Sequence, residues 1–413
     1  MNDENPNINV DCEKSKGLKE KGVQLIGRGN VAEAISCFQK AIHQDPEDVE
    51  AYFHLGHCFM SKADHSRAIR CFQQALQFDP NNVNILYGMA NALGKKHLYP
   101  EAIQVIERAI GIFSESFELQ NLLGNLYHHC RQLDKAIEHY RISLSLNPTC
   151  TPIYYNLGKA YEDKGLIPEA VKIYRDALQN SVSRSPLYGF FNRLESEYPV
   201  LANKFGKIEG FLYALEGYTL MILAAYGAGE GQIVEIGSYK GKSTCWLASG
   251  SKEAGRGKVT AVDHFKSPVL RPGLPADQEW TSLDEFKENI KLVGLEDDVR
   301  VIVSDSETAV KSWDQSIRLL FVDGDHSYEA SKLDFECWSL FVIENGYVVF
   351  HDIEVWDGVT RFYNELKSTS EEFVEVFPVM SLRVMQRITA APKKESLTEL
   401  FPKQKRSLRV NIP

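Results

Sequence analysis

The sequence predicts an α-solenoid followed by an α/β domain with a mostly parallel sheet, and three observations carry that prediction. The first part of the chain repeats at a fixed offset of 34 residues. From Ile233 onward, short apolar runs alternate with segments of helical periodicity. Nearly every one of those runs ends in an acidic or polar residue, as the strands of an open sheet do where they border a ligand crevice. At 413 residues the chain is also too long for one core, so two domains are expected.

Composition narrows the function classes. Hydrophobic residues make up 44% and charged residues 25%, the balance of a globular protein. A formal charge of −10 offers no electrostatic footprint for nucleic acid. The eight cysteines are scattered without a C-x-x-C pair and read as reduced thiols rather than a disulfide framework. The polar stretch Met1–Cys12 does not read as a signal peptide, and the apolar stretch Tyr218–Ala228 is too short to span a bilayer. A cytoplasmic protein without membrane attachment is the expectation.

Residues 1–14 read as a disordered N-terminus, and residues 15–182 as five repeat units. Glycine falls at Gly22, Gly56, Gly124 and Gly158, with Ala90 in the remaining place. Alanine falls at Ala34, Ala68, Ala102, Ala136 and Ala170, followed by bulky residues at Phe38, Phe72, Ile106, Tyr140 and Tyr174. Pro46, Pro80 and Pro148 close three of the units. Small residues let two helices approach, the bulky residue fills the space between them, and proline stops the second helix. This pattern resembles the tetratricopeptide repeat, which implies a surface that docks a protein or holds copies together; a homo-oligomer stays open. Two clusters, His54 with His57 and Cys58, and His128 with His129 and Cys130, have helical spacing that a metal could use. Their place inside packing helices favours packing or rim roles.

Residues 183–204 read as a linker, opened by Ser183 and Pro186, and residues 205–388 as the second domain. A helix is expected from Ile208 through Leu223, lying on the sheet. The strands are expected at Ile233–Ile236, Val259–Val262, Val299–Val303, Leu319–Val322, Tyr347–Phe350 and Phe373–Phe377. Helices are expected at Ser243–Ala254, Ser282–Val293, Ser306–Ser312, Tyr328–Phe341 and Trp356–Ser368. The loop-like segment His264–Trp280 reads as a lid, and residues 389–413 as a basic, partly disordered tail.

The turn after the first strand decides among ligands. A dinucleotide fingerprint fails, because Gly237 and Gly241 do not form G-x-G-x-x-G. A phosphate-binding P-loop is a closer miss: Gly237 to Gly241, Lys242 and Ser243 has the glycine-lysine-serine ending but three residues between the glycines where four are required. Glu235, Gly237 and Gly241 instead resemble the first motif of the class I S-adenosylmethionine-dependent methyltransferases, with Tyr239 replacing the usual middle glycine. That resemblance implies a Rossmann-like fold and cofactor contacts from Glu235, Gly237, Ser238, Tyr239, Gly241, Ser243, Asp263, Asp305, Ser306 and Asp323.

Asp323-Gly324-Asp325-His326 followed by His351-Asp352 is similar to the methyltransferase domain 24 branch and its metal-dependent sugar O-methyltransferases. The resemblance implies Asp323 and Asp352 as ligands of Mg2+ or another divalent cation, and His326 as general base. An alcohol is a poor nucleophile, so a cation that lowers its pKa and an imidazole that takes its proton are what the chemistry asks for. His351 departs from the acidic or amide neighbour usual at the fifth strand. Asp325 reads as a local cap and Asp334 as a helix-surface charge; His264 and Lys242 read as lining residues. The implied acceptor is a small molecule or sugar. The rival readings are a repeat scaffold carrying an inactive cofactor-binding domain, and a protein methyltransferase.

Overall fold

Residues 6–266 and 281–390 are described in the computed structural model, and the chain divides into two compact units, Met1–Ile173 and Tyr174–Pro413. Of the expected lid (264–280) and tail (389–413), residues 267–280 and 391–413 lie outside the described residues. None of the described helices is long and apolar enough to cross a membrane.

Ten helices form the repeats: α1 (Pro6–Gly27), α2 (Val31–Gln44), α3 (Val49–Ser61), α4 (His65–Phe78), α5 (Val83–Lys95), α6 (Tyr99–Ile112), α7 (Phe117–His129), α8 (Leu133–Leu146), α9 (Thr151–Asp163) and α10 (Ile167–Val182). Helix α1 starts inside the 1–14 stretch that the sequence reads as disordered. The unit boundary falls inside α10, within the fifth repeat.

The repeating alanines 34, 68, 102, 136 and 170 are all fully buried. A Cβ on Gly56 would sit 2.6 Å from the Phe72 ring, and one on Gly124 2.6 Å from Tyr140, so the glycine and the bulky residue of each unit are fitted to one another. The turn after each first helix passes through the left-handed region at Gly29, Ala63, His97, Arg131 and Gly165, each 34 residues from the last. Only two of these five are glycine, so the repeat geometry imposes that conformation on side-chain-bearing residues as well. Gly56→Ala is therefore expected to destabilise the repeats by about 1–3 kcal/mol, because the Phe72 ring must move. Thermal unfolding followed by circular dichroism checks this.

The histidine clusters of the repeats do pack rather than gather a metal. His54 stacks on Phe38, His57 meets Phe53 and Phe72 edge-on, His128 pairs with Asp163 and His129 stacks on Tyr99.

In the second unit, a 3-10 turn (Tyr188–Arg193) leads into α11 (Leu194–Phe205), so the expected linker is itself mostly helical. Helix α12 (Ala214–Tyr226) replaces the longer helix expected from Ile208; the chain before Ala214 is irregular. Eleven of its residues, Leu215 through Ala225, are buried.

The remaining elements are β1 (Gln232–Ile236), α13 (Lys242–Glu253), β2 (Val259–Asp263), α14 (Leu283–Leu292), β3 (Val299–Val303), α15 (Ser306–Val310), β4 (Ile317–Val322), α16 (Tyr328–Trp338), β5 (Val342–Phe350), α17 (Asp357–Thr369), β6 (Phe373–Val379) and β7 (Leu382–Arg387). All six expected strands are present. The seventh, β7, was not expected: it follows β6 after only Met380 and Ser381 and lies antiparallel between β5 and β6. The sheet order is β3-β2-β1-β4-β5-β7-β6, with β1, β2, β3, β4 and β5 parallel. β1 sits where the winding reverses, so the crevice of this fold opens at its carboxyl end.

Candidate active site

Glu235 closes β1 fully buried. Its Oε2 accepts a hydrogen bond from Ser238 Oγ at 3.0 Å and another from Thr244 Oγ1, while Oε1 is buried with no partner. Burial pushes the carboxyl up to about 7, against the hydroxyls of Ser243, Thr244 and Ser238 that favour the charged form. The following turn carries positive φ at Gly237 (+84°), Tyr239 (+45°) and Gly241 (+85°). The turn is held from β2: Asp263 Oδ2 accepts the backbone N–H groups of Ser238 and Tyr239, both at 2.8 Å, and Oδ1 accepts that of Phe265 at 2.6 Å.

Asp305 and Ser306 stand at the end of β3 but are already engaged. Asp305 caps α15 through Thr308 N at 2.7 Å, and Ser306 Oγ receives the Trp338 indole N–H at 2.9 Å. Asp334, expected as a surface charge, is buried beside Ser306, and burial raises its carboxyl to about 6. Asp325 does hold a local turn, accepting from Ser327 N at 2.7 Å. Lys242 reaches the carbonyl of Gly210 at 3.2 Å, and the imidazole of His264 accepts from Lys266 N at 2.9 Å.

The ends of β4 and β5 converge on a second cluster. Asp323, His351 and Asp352 offer donor atoms that all lie within 4.8 Å of one another, the one such group of three among the described residues. His351 Nδ1 is 2.9 Å from Asp323 Oδ1 and 3.6 Å from Asp352 Oδ1. Its Nε2 lies 3.2 Å from Glu216 Oε2, on the buried helix α12. Asp352 is held at φ +58°, a strained conformation for a side-chain-bearing residue.

His326 Nε2 points between the two aspartates, 3.2 Å from Asp352 Oδ2 and 3.6 Å from Asp323 Oδ1, and makes a hydrogen bond to neither. Trp356 stacks on its ring at 5.5 Å, and Val359 N donates to its carbonyl at 3.0 Å.

The charges of this cluster are coupled. Burial alone would lower His326, but Asp323 and Asp352 outweigh it and raise the imidazole to about 9. His351 is raised well above the ordinary histidine value by Asp323 and Glu216, also against burial. Asp323 is lowered by the two imidazoles although burial works the other way.

A histidine raised from 6.5 to about 9 adds stability that is complete below pH 6.5 and lost as pH climbs through about 9. Chelator-treated protein is therefore expected to melt lower at pH 9.5 than at pH 6.5. With the His326 side chain 31% exposed, its share is about 1–2 kcal/mol. Differential scanning calorimetry of the wild type and His326→Asn measures it.

Comparisons with known proteins assign both units. A methyltransferase domain profile matches residues 234–353, from β1 to just beyond Asp352. Tetratricopeptide repeat profiles match residues 24–62, 49–82, 71–104, 117–150 and 151–181. The chain is a tetratricopeptide repeat array fused to a methyltransferase domain.

Solved structures are similar to part of the chain. A crystal structure of MamA is 30% identical and covers 38% of this chain and 93% of its own, with a TM-score of 0.37. MamA from Desulfovibrio magneticus RS-1 is 23% identical, covering 42% and 97%, with a TM-score of 0.40. YrrB, described as a tetratricopeptide repeat protein with an unusual peptide-binding site, is 19% identical, covering 46% and 96%, with a TM-score of 0.38.

Within the methyltransferase domain, the structure joins Glu235, Ser238, Ser243 and Asp263 around one turn, and Asp323, His326 and Asp352 in one cluster. Sequence reasoning missed Glu216. The signal available for it was a single carboxylate in the otherwise apolar run that became α12.

Proposed function

We propose that the methyltransferase domain transfers a methyl group from S-adenosylmethionine to a hydroxyl of a small molecule or sugar, assisted by a divalent cation. The observation that carries this reading is the Asp323–His351–Asp352 donor set at the ends of adjacent strands, beside the turn after β1. Two carboxylates and an imidazole suit Mg2+ or Mn2+ better than a thiophilic ion.

The turn fits the cofactor. Glu235 offers a buried oxygen without a partner, and a Cβ at Gly237 would fall 2.2 Å from the Asp323 carbonyl oxygen, so only glycine fits where the ends of β1 and β4 approach. Glu235, Gly237, Ser238, Tyr239, Gly241, Ser243 and Asp263 would hold the cofactor, which supplies a methyl group on a sulfonium. Asp305 and Ser306 would border its adenine end through their backbone, since their side chains are engaged.

Asp323, His351 and Asp352 would hold the cation, which supplies positive charge that lowers the pKa of an acceptor hydroxyl. His326 takes the proton from that hydroxyl at Nε2, and Trp356 fixes the imidazole plane by stacking on it. Asp323 and Asp352 raise His326 to about 9; a cation held between the same aspartates would offset their charge and favour the neutral imidazole that a base must be.

The tetratricopeptide array would dock a protein partner. Phe53, Tyr87 and Asn121, like His57, Asn91 and Asn125, recur at intervals of 34 and stay partly or fully exposed on the first helices. A cytoplasmic location suits a chain with these free cysteines.

Calorimetric titration of S-adenosylhomocysteine into the full chain and into Asp263→Ala, each with and without Mg2+, tests the proposal. Binding weakened by the substitution supports it. Binding of ATP in place of S-adenosylhomocysteine would sink it.

A further inference from the structure

We propose that Glu216 is the outer carboxylate of the cation site, which by taking the Nε2–H of His351 holds that imidazole with Nδ1 turned toward Asp323 and Asp352. The inference rests on the cation reading above. Glu216 and its partners Tyr213 and Ser381 all lie outside residues 234–353 matched by the methyltransferase profile.

An imidazole has two nitrogens, and the hydrogen bond made by one decides which is left for a cation. In His351 both nitrogens face carboxylates: Nε2 lies 3.2 Å from Glu216 Oε2, and Nδ1, the nitrogen turned toward both aspartates, lies 2.9 Å from Asp323 Oδ1. Glu216 is itself fixed. Its Oε2 accepts from Tyr213 N at 3.1 Å, and its Oε1 accepts from Ser381 N at 2.9 Å and Ser381 Oγ at 2.7 Å. The residue is 0% exposed.

Capping α12 does not require such burial. A carboxylate at the third position of a helix caps its start equally well from the surface, and taking the charge out of water costs several kcal/mol. The deep placement lets one carboxylate reach both Ser381 and His351. Because α12 and the β6–β7 turn meet at this one side chain, the two elements position the imidazole without touching a cation themselves.

Mn2+ titration of the full chain, followed by electron paramagnetic resonance, tests this. Glu216→Gln should bind Mn2+ roughly ten- to hundredfold more weakly than wild type, with S-adenosylhomocysteine affinity unchanged. Ser381→Ala removes one bond to the same carboxylate but leaves His351 its partner, and should keep wild-type Mn2+ affinity; a merely structural staple would weaken in both variants alike.

Equal Mn2+ affinity in wild type and Glu216→Gln overturns the inference. A wild type that binds no Mn2+ overturns it along with the cation reading, and S-adenosylhomocysteine titration then shows whether the methyltransferase reading survives alone. If Glu216→Gln does not fold, electron spin echo on the Mn2+-loaded wild type and His351→Asn decides. Nitrogen coupling lost in the variant supports the proposal, and coupling absent from wild type or kept in the variant overturns it.

Discussion

Asp323→Asn is expected to lower Mn2+ affinity by roughly a hundredfold or more and turnover by about a thousandfold, because one charge serves three purposes there. Asp323 is a donor of the candidate cation site, and it is the nearest counter-charge of His351 at 2.9 Å and a counter-charge of His326 at 3.6 Å. A thousandfold loss corresponds to ~4 kcal/mol of transition-state stabilisation, the scale of a lost cation. The change is nearly isosteric, so circular dichroism and S-adenosylhomocysteine binding should stay close to wild type.

The substitution has a second, independent readout. His326 is raised to about 9 by Asp323 and Asp352 against its burial, so neutralising one of the pair must bring its titration down toward 6.5. Nuclear magnetic resonance of the imidazole protons in chelator-treated protein follows this directly. A His326 titration that does not move in Asp323→Asn would refute the charge coupling on which the base assignment depends.

How much of this was legible in the sequence depended on the range of each signal. The repeats were plain because Ala34, Ala68, Ala102, Ala136 and Ala170 each report on a helix pair close in the chain. Strands β1 to β6 were legible as apolar runs, while the roles expected of Asp323, His326 and Asp352 came from the family resemblance of the motifs that carry them. Strand β7 was hidden because Arg383 and Arg387 sit buried within it, and nothing local says that Arg387 will find the carbonyls of Ser339 and Val342. Glu216 was hidden for the same reason: its partner His351 lies 135 residues away. Asp305 and Ser306 were placed on the right edge, but the cap of α15 and the Trp338 indole that engage them are tertiary facts.

The turn after β1 carries the largest structural penalty expected of a single methyl group. In Gly237→Ala the new Cβ would lie 2.2 Å from the carbonyl oxygen of Asp323 and 2.7 Å from Gly324 Cα. Both are backbone atoms at the end of β4, so no rotamer change relieves the overlap. The residue also has φ +84°, which costs an alanine further strain. Strain and overpacking together should destabilise the second unit by about 3–5 kcal/mol, or at least ~6 °C in melting temperature.

Two neighbours separate the causes. Gly255 has φ +64° and open space for 4 Å around the position of an added methyl, so Gly255→Ala should show the strain alone, about 1–2 kcal/mol. Gly241→Ala meets the Phe286 ring at 2.9 Å, a side chain that can yield, and should fall between the two. Because the Gly237 overlap pushes apart the ends of β1 and β4 that carry Glu235 and Asp323, S-adenosylhomocysteine binding should be lost in Gly237→Ala and kept in Gly255→Ala. Equal melting temperatures for Gly237→Ala and Gly255→Ala would mean that the two strand ends do not approach as closely as this geometry requires.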